Sequence, residues 1–162
     1  MSRQPTPDEQ TLVQKIVERS NACDLDLDAD RALLLARHMH RVMNAEASLH
    51  LTSITTVDGF LERHIGESLE GAAMLDRDTN GWLLDLGSGN GYPGLPVAIA
   101  CGDLQPLLAE VSVRKAEFLR SITRPLGNNS SVTERKNSAF RTETSANNGR
   151  MSPRLIATGR PG

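Results

Sequence analysis

Asp85, Gly87, Gly89 and Gly91 recur at every second position, and Pro93-Gly94-Leu95-Pro96 follows close behind. The residues before the first glycine, Trp82 to Leu86, are apolar except for Asp85. This pattern reads as a buried strand that ends beside an acid and breaks into a glycine loop. Glycine has no Cβ and accepts positive φ, so its backbone can approach a ligand closely. A helix opening behind the loop offers unpaired N–H groups and a partial positive charge. The combination is a cradle for a nucleotide-like ligand. Gly89-Asn90-Gly91-Tyr92-Pro93-Gly94 also fits G-x-G-x-x-G, the dinucleotide fingerprint. A second apolar run, Gln105 to Glu110, again ends in an acid. A carboxylate there can accept from two vicinal ribose hydroxyls at once. Glu110 alone does not say which nucleoside-type cofactor it would hold.

The elements around this loop are legible from patterning. Thr6-Pro7-Asp8-Glu9 has a cap, a proline for the first helical position and a capping-box acid. Leu12, Ile16 and Val17 then supply an apolar stripe. A second helix is expected from Asp28 to about Ala47, with Leu34, Leu35, Met39, Val42 and Met43 near helical spacing. His38 and His40 lie in it and are assigned no chemistry. Leu51 to Ile54 is a short extended connector. A third helix is expected after Thr55 or Thr56, through Phe60, Leu61, His64, Ile65 and Leu69. Asp76 to Gly81 is a turn-rich break. Strand, loop, helix, strand and a helix capped by Ser112 follow, an order that implies parallel strands with right-handed crossovers. After Pro125 the pattern decays. Residues 127–152 are rich in Asn, Ser, Thr, Arg and Gly and read as linker-like. The expected organisation is a helical extension at 1–80, an α/β core at 81–126 and a polar tail at 127–162. A short strand is expected near 154–158.

Bulk composition bounds the rest. A chain of 162 residues suits one domain with a real core. Hydrophobic content of 38% and charged content of 23% are those of a soluble protein. No apolar run reaches membrane-spanning length and the first residues carry no signal-peptide core, so the expected location is the cytoplasm. Cys23 and Cys101 have no metal-ligand spacing and read as reduced thiols, with no metal site expected. Charge is uneven: residues 1–110 carry 8 Lys/Arg against 17 Asp/Glu, and residues 111–162 carry 10 against 3. A basic segment beside a nucleotide-type loop suits an anionic partner, and it equally suits a solvated basic tail.

The D-x-G-x-G-x-G arrangement resembles the first motif of class I methyltransferases that use S-adenosylmethionine. The flanking segments narrow the resemblance. They are Leu49-His50-Leu51-Thr52-Ser53-Ile54, Arg63-His64-Ile65-Gly66-Glu67-Ser68-Leu69, the glycine loop with Pro93-Gly94-Leu95-Pro96, and Glu110 with Arg114-Lys115 and Phe118-Leu119. In order and spacing, from about residue 30 to residue 122, they resemble the ribosomal RNA small-subunit methyltransferase G family, also called glucose-inhibited division protein B. His50 stands where that family usually has Asn, and Glu67 where Asp is common.

The resemblance implies a Rossmann-like α/β fold with a parallel sheet and an N-terminal helical extension. The family's later strands are not evident after residue 127, so the sheet is expected to be incomplete at that end. It also implies transfer of a methyl group from S-adenosylmethionine to N7 of a guanosine in 16S rRNA of the small ribosomal subunit. The cofactor site would comprise Asp85, Gly87, Ser88, Gly89, Gly91, Tyr92 and Glu110, with Tyr92 packing on the cofactor. A carboxylate at Asp85 suits the donor's cationic end. RNA contacts fall to Arg63, His64, Arg114 and Lys115, with Arg120 and Arg124 extending the last pair. Aromatic content of 3% leaves little for base stacking. No catalytic acid or base is nominated, because guanine N7 has no proton to remove. Two other readings stay open: a truncated or frame-disturbed remnant that binds cofactor or RNA without catalysis, and an NAD-dependent oxidoreductase.

Overall fold

Asp28 starts a helix by accepting from the Arg31 N–H at 2.8 Å, which satisfies one of the donors a helix start leaves free. Thr56 does the same for the Gly59 N–H at 3.2 Å, and Ser112 for the Lys115 N–H at 3.5 Å. These caps set the frame of a computed structural model that describes residues 7–76, 78–124, 131–136 and 139–143. Helices α1 (Pro7–Asn21) and α2 (Ala29–Met43) come first. A 3-10 turn (Ala47–Leu49) leads to α3 (Val57–Phe60), a π turn (Leu61–Gly66) and α4 (Glu67–Ala73). The α/β part runs β1 (Gly81–Leu86), α5 (Gly94–Cys101), β2 (Leu104–Glu110), α6 (Val113–Thr123), β3 (Ser131–Lys136) and β4 (Ala139–Glu143).

The sheet order is β1-β2-β3-β4. β1 and β2 pair in parallel, as do β2 and β3, while β4 returns antiparallel to β3. The fold is thus the expected mixed α/β arrangement with a parallel sheet behind N-terminal helices. Asp85 pairs with Leu108 and Leu86 with Ala109, so the acids at the ends of β1 and β2 emerge at one edge of the sheet. In open parallel sheets, ligands bind beyond the carboxyl ends of the strands.

Departures from the sequence reading have local causes. α2 closes at Met43 instead of near Ala47: the Asn44 side chain donates to His40 O at 2.8 Å, and the next N–H, of Ala45, turns to Val42 O at 3.3 Å in place of the helical ladder. The third helix contains a π turn. Ser68 Oγ donates to the His64 carbonyl at 2.6 Å, and the Phe60 and His64 rings meet at 4.4 Å. Such turns recur at functional sites. Residues 131–136 and 139–143, read as linker-like, form strands β3 and β4. Pairing with an existing edge needs backbone donors and acceptors more than apolar side chains, and Val132 joins the core at 5% exposed. The Thr6 cap and the strand expected near 154–158 lie outside the described residues.

One hydrophobic cluster crosses both parts of the chain. Ile16, Leu35, Met39, Phe60, Ile65 and Leu69 from the helices join Leu95, Leu108, Leu119 and Val132 from the α/β part. Burying an aliphatic or aromatic side chain of this size is worth about 1.5–3 kcal/mol.

His38 sits inside this layer, 4% exposed. Burial lowers its pKa to about 4, with the His64 charge adding in the same direction and the Asn90 carbonyl opposing. The unfolded chain protonates such a ring near 6.5 and the folded chain only near 4, so the unfolded state holds more protons between those values. Stability should therefore fall as pH drops from about 6.5 to 4, by up to about 3 kcal/mol from this group. Urea unfolding of the native protein and His38→Phe across that window checks it. The native midpoint should fall more steeply than the variant's, and parallel slopes would rule the linkage out.

Candidate functional site

The loop between β1 and α5 is left-handed at alternate residues, with φ of 75° at Gly87, 51° at Gly89 and 92° at Gly91. Side-chain-bearing residues rarely hold that backbone. At Gly87 a Cβ would meet nothing within 4 Å, so conformation and open space coincide there. The loop's backbone groups turn off the sheet ladder and find other partners. The Gly87 and Ser88 N–H groups both donate to Ala109 O, at 2.8 and 3.1 Å. Ser88 Oγ donates to Asp85 O at 2.9 Å, and the Gly91 N–H to Ser88 O at 2.6 Å.

Glu110 is 6% exposed and closes the loop onto β2. Its Oε2 accepts from the Gly89 N–H at 2.9 Å and its Oε1 from the Ser112 N–H at 2.8 Å. The acid ending β2 therefore grips both the glycine loop and the start of α6. Asp85 lies on the other side of the loop. Its Oδ2 is enclosed with no hydrogen-bond partner. Burial raises the Asp85 pKa, the Gly94 N–H and Ser88 offset part of the rise, and Glu110 adds to it. A positive charge beside a half-buried acid favours its ionised form.

Gly94 opens α5 directly beneath this carboxyl. A Cβ at Gly94 would lie 2.5 Å from Asp85 Oδ2 and 2.6 Å from its Cβ. The glycine is needed there for close approach.

Asn90 and Tyr92 face the other way, toward the helices, so the Tyr92 ring, expected from sequence to pack on a cofactor, is instead engaged by His38, Phe60 and His64. Asn90 Nδ2 donates to Leu51 O at 3.0 Å, and Asn90 Oδ1 accepts from the Tyr92 N–H at 3.1 Å. The Tyr92 ring stacks on His38 with centroids 4.4 Å apart and 12° between planes, and meets His64 at 5.0 Å and Phe60 at 5.4 Å. Its hydroxyl is enclosed without a partner, and burial pushes its pKa well above the usual value. His64 is half-buried, bonded to Thr52 Oγ1 at 3.0 Å, with its pKa lowered chiefly by burial. His50 holds a left-handed backbone, φ 47° and ψ 50°. Asn and His tolerate that conformation better than most residues.

The structure thus draws together segments that are far apart in sequence. The Leu51–Thr52 connector, His64 in the π turn and the loop residues Asn90 and Tyr92 share hydrogen bonds and ring contacts. Arg114, 59% exposed, reaches Ser48 Oγ at 2.8 Å and Glu46 at 3.2 Å. Surface pairs of this kind are worth under about 1 kcal/mol, so the guanidinium can exchange partners cheaply. Arg63 is exposed and Lys115 half-buried. Arg63 neighbours His64 on the π turn, while Arg114 and Lys115 lie on the first turn of α6. Sequence reasoning passed over His38 and Asn90, since a helical His and a loop Asn carry no pattern of their own. Among the described residues no group of three or more His, Cys, Asp or Glu is placed to hold a metal ion. No helix among them is long and apolar enough to cross a membrane.

A largely parallel sheet with a glycine loop behind β1 and an acid closing β2 defines a Rossmann-like nucleotide-binding arrangement, and similarity to known proteins places it in the methyltransferase class. The family described as rRNA small subunit methyltransferase G matches residues 32–146. Ribosomal RNA small subunit methyltransferase G of Stenotrophomonas maltophilia (strain K279a) is 36% identical over 141 residues, covering 86% of this chain and 63% of that protein. The protein of the same name from Sorangium cellulosum (strain So ce56) is 38% identical over 111 residues, 68% of this chain and 46% of its own length. That of Xylella fastidiosa (strain M23) is 38% identical over 103 residues, 64% and 47% respectively. The chain belongs to the rRNA small subunit methyltransferase G family. It spans less than two thirds of the length of these relatives. The family match runs to residue 146, past residue 122 where the resemblance read from sequence stopped, and it takes in β3 and β4.

Gly94→Ala should destabilise the fold by about 1–3 kcal/mol through overpacking against Asp85, read as a fall in the urea midpoint. An unchanged midpoint would mean that Asp85 does not rest on the start of α5.

Proposed function

We propose that this chain binds S-adenosylmethionine at the glycine loop and methylates N7 of a guanosine in 16S rRNA of the small ribosomal subunit, in the cytoplasm. The observation that carries the reading is the open, left-handed glycine loop between the half-buried Asp85 carboxyl and the buried Glu110 carboxylate that holds it. A donor with a cationic amino-acid end and a ribose presents a positive group and two vicinal hydroxyls, which those two acids suit. Gly87, Ser88, Gly89 and Gly91 supply the close backbone, and Tyr92 holds the loop against the helical layer.

Glu110 can take hydroxyl donors while keeping the loop. A carboxylate has about four lone-pair sites, and backbone donors engage one on each oxygen. When bound, S-adenosylmethionine supplies an electrophilic methyl group on its sulfonium. Guanine N7 attacks with a lone pair and has no proton to lose, so the chain need not furnish a general base. Its work is to orient donor and acceptor and to exclude water. Arg63, His64, Arg114 and Lys115 are the residues we assign to RNA. Exposed Arg63 and the weakly paired Arg114 suit phosphate contacts.

A second reading, binding without transfer, is favoured by β1. Among the described residues it pairs only with β2, and Leu86 at its end is 68% exposed.

Calorimetric titration with S-adenosylmethionine and with NAD tests the cofactor. Binding of the methyl donor is expected, and binding of NAD alone would overturn the proposal. Methylation of small subunits that lack the modification then separates an enzyme from a binding protein. Gly87→Val projects a branched side chain into the open space beside the loop and should weaken donor binding at least about tenfold, at about 1.4 kcal/mol per decade. Unchanged affinity would remove Gly87 from the site. Glu110→Ala should lose donor affinity and also loosen the loop, read as a lower melting temperature.

A further inference from the structure

His38 stands on α2, away from the strand ends, yet successive residues of the loop meet it. Its Nε2 lies 2.8 Å from Asn90 O. A carbonyl only accepts, so the ring donates and carries a proton on Nε2. Its face stacks on Tyr92 at 4.4 Å. The space that a Cβ on Gly91 would fill is held by the same ring, with Nε2 at 3.0 Å. The ring's other nitrogen, Nδ1, is enclosed and has no partner. A phenyl ring would fill this volume without leaving a nitrogen unsatisfied. What histidine adds here is the single donor aimed at the loop.

We propose that His38 is a positioning residue for the glycine loop. From the helical layer it holds the Asn90 carbonyl and the Tyr92 ring, and so sets the left-handed peptide at Gly91 that presents Gly87 to Gly89 to the ligand. It touches no reacting atom and acts through Asn90, Gly91 and Tyr92. Its low pKa, near 4, keeps the ring a neutral single donor at neutral pH. The geometry stands by itself, while the consequence for cofactor affinity rests on the proposed reading of the loop.

Two variants separate the donor from the ring. His38→Phe keeps the stack and removes the donor, and His38→Gln returns an amide donor near the position of Nε2. In His38→Phe, amide hydrogen exchange at Gly91 and Tyr92 should speed up about tenfold while β2 amides stay unchanged. S-adenosylmethionine affinity should fall about five- to tenfold, the loss of one hydrogen bond. His38→Gln should recover most of both. Native exchange and native affinity in His38→Phe would overturn the proposal. Faster loop exchange in a protein whose native form binds no methyl donor would uphold the positioning role and sink the cofactor reading. Should His38→Phe fail to fold, nitrogen-15 NMR of the native ring at neutral pH decides: a proton on Nε2 is expected, and one on Nδ1 overturns the assignment.

Discussion

Between Gly87 and Gly91 the backbone turns left-handed three times, and each turn takes peptide groups away from the sheet ladder. A buried N–H or carbonyl without a partner is costly, so this loop exists only where neighbours meet its needs. They come from two directions. The end of β2 takes the Gly87 and Ser88 N–H groups on Ala109 O, and the Gly89 N–H on Glu110. The helical layer takes the Asn90 carbonyl on His38 and supplies Leu51 O to the Asn90 amide. Remove either set and the glycines, which lose more entropy than any other residue on ordering, have no reason to hold one shape. The helices ahead of the sheet are therefore part of what builds the loop.

Much of this was legible in the sequence because it depends on local chemistry. Alternating glycines behind an apolar run, an acid at the end of each of two strands, and the Asp28 and Ser112 caps all act within a few residues of themselves. What sequence did not reveal is long-range. His38 and Asn90 are 52 residues apart, and nothing in the periodicity of α2 marks one of its histidines as facing a loop. The π turn follows from tertiary packing, with Phe60 and His64 drawn toward Tyr92. Polar composition read residues 131–143 as a linker, yet a strand added to an existing edge is held by backbone pairing, which composition does not report. The strongest long-range signal was the joint spacing of several short segments. Their meaning is now physical: Leu51, Thr52, His64, Asn90 and Tyr92 lie in one contact network.

The sheet itself is asymmetric. β1 is apolar at Trp82, Leu83, Leu84 and Leu86, a pattern typical of a strand covered on both faces. Among the described residues it has a partner only in β2. Leu86, Val111 and Val113 are exposed at the same end. The loop's own support comes from β2 and from α2. The contacts that shape the loop are therefore separate from the outer side of β1, and on the proposed reading binding and transfer are distinct questions for this chain.

That separation gives Glu110 a particular place. An acid that merely waited for ribose hydroxyls would sit in water, where a neutral ligand competes poorly for it. This one is buried, and the backbone of the loop and of α6 already holds it. Two backbone donors offset much of the cost of enclosing its charge, and each oxygen keeps a further lone pair. A ligand hydroxyl arriving there meets an acceptor fixed in orientation and partly stripped of water, so little must reorganise on binding. Because the Gly89 N–H shares the same carboxylate, the proposed reading couples loop shape and ligand grip through one side chain. A loop that slips out of register moves the acceptor as well. For the same reason the His38 contact to Asn90, next in the chain to Gly89, would on that reading act on a ligand without touching it.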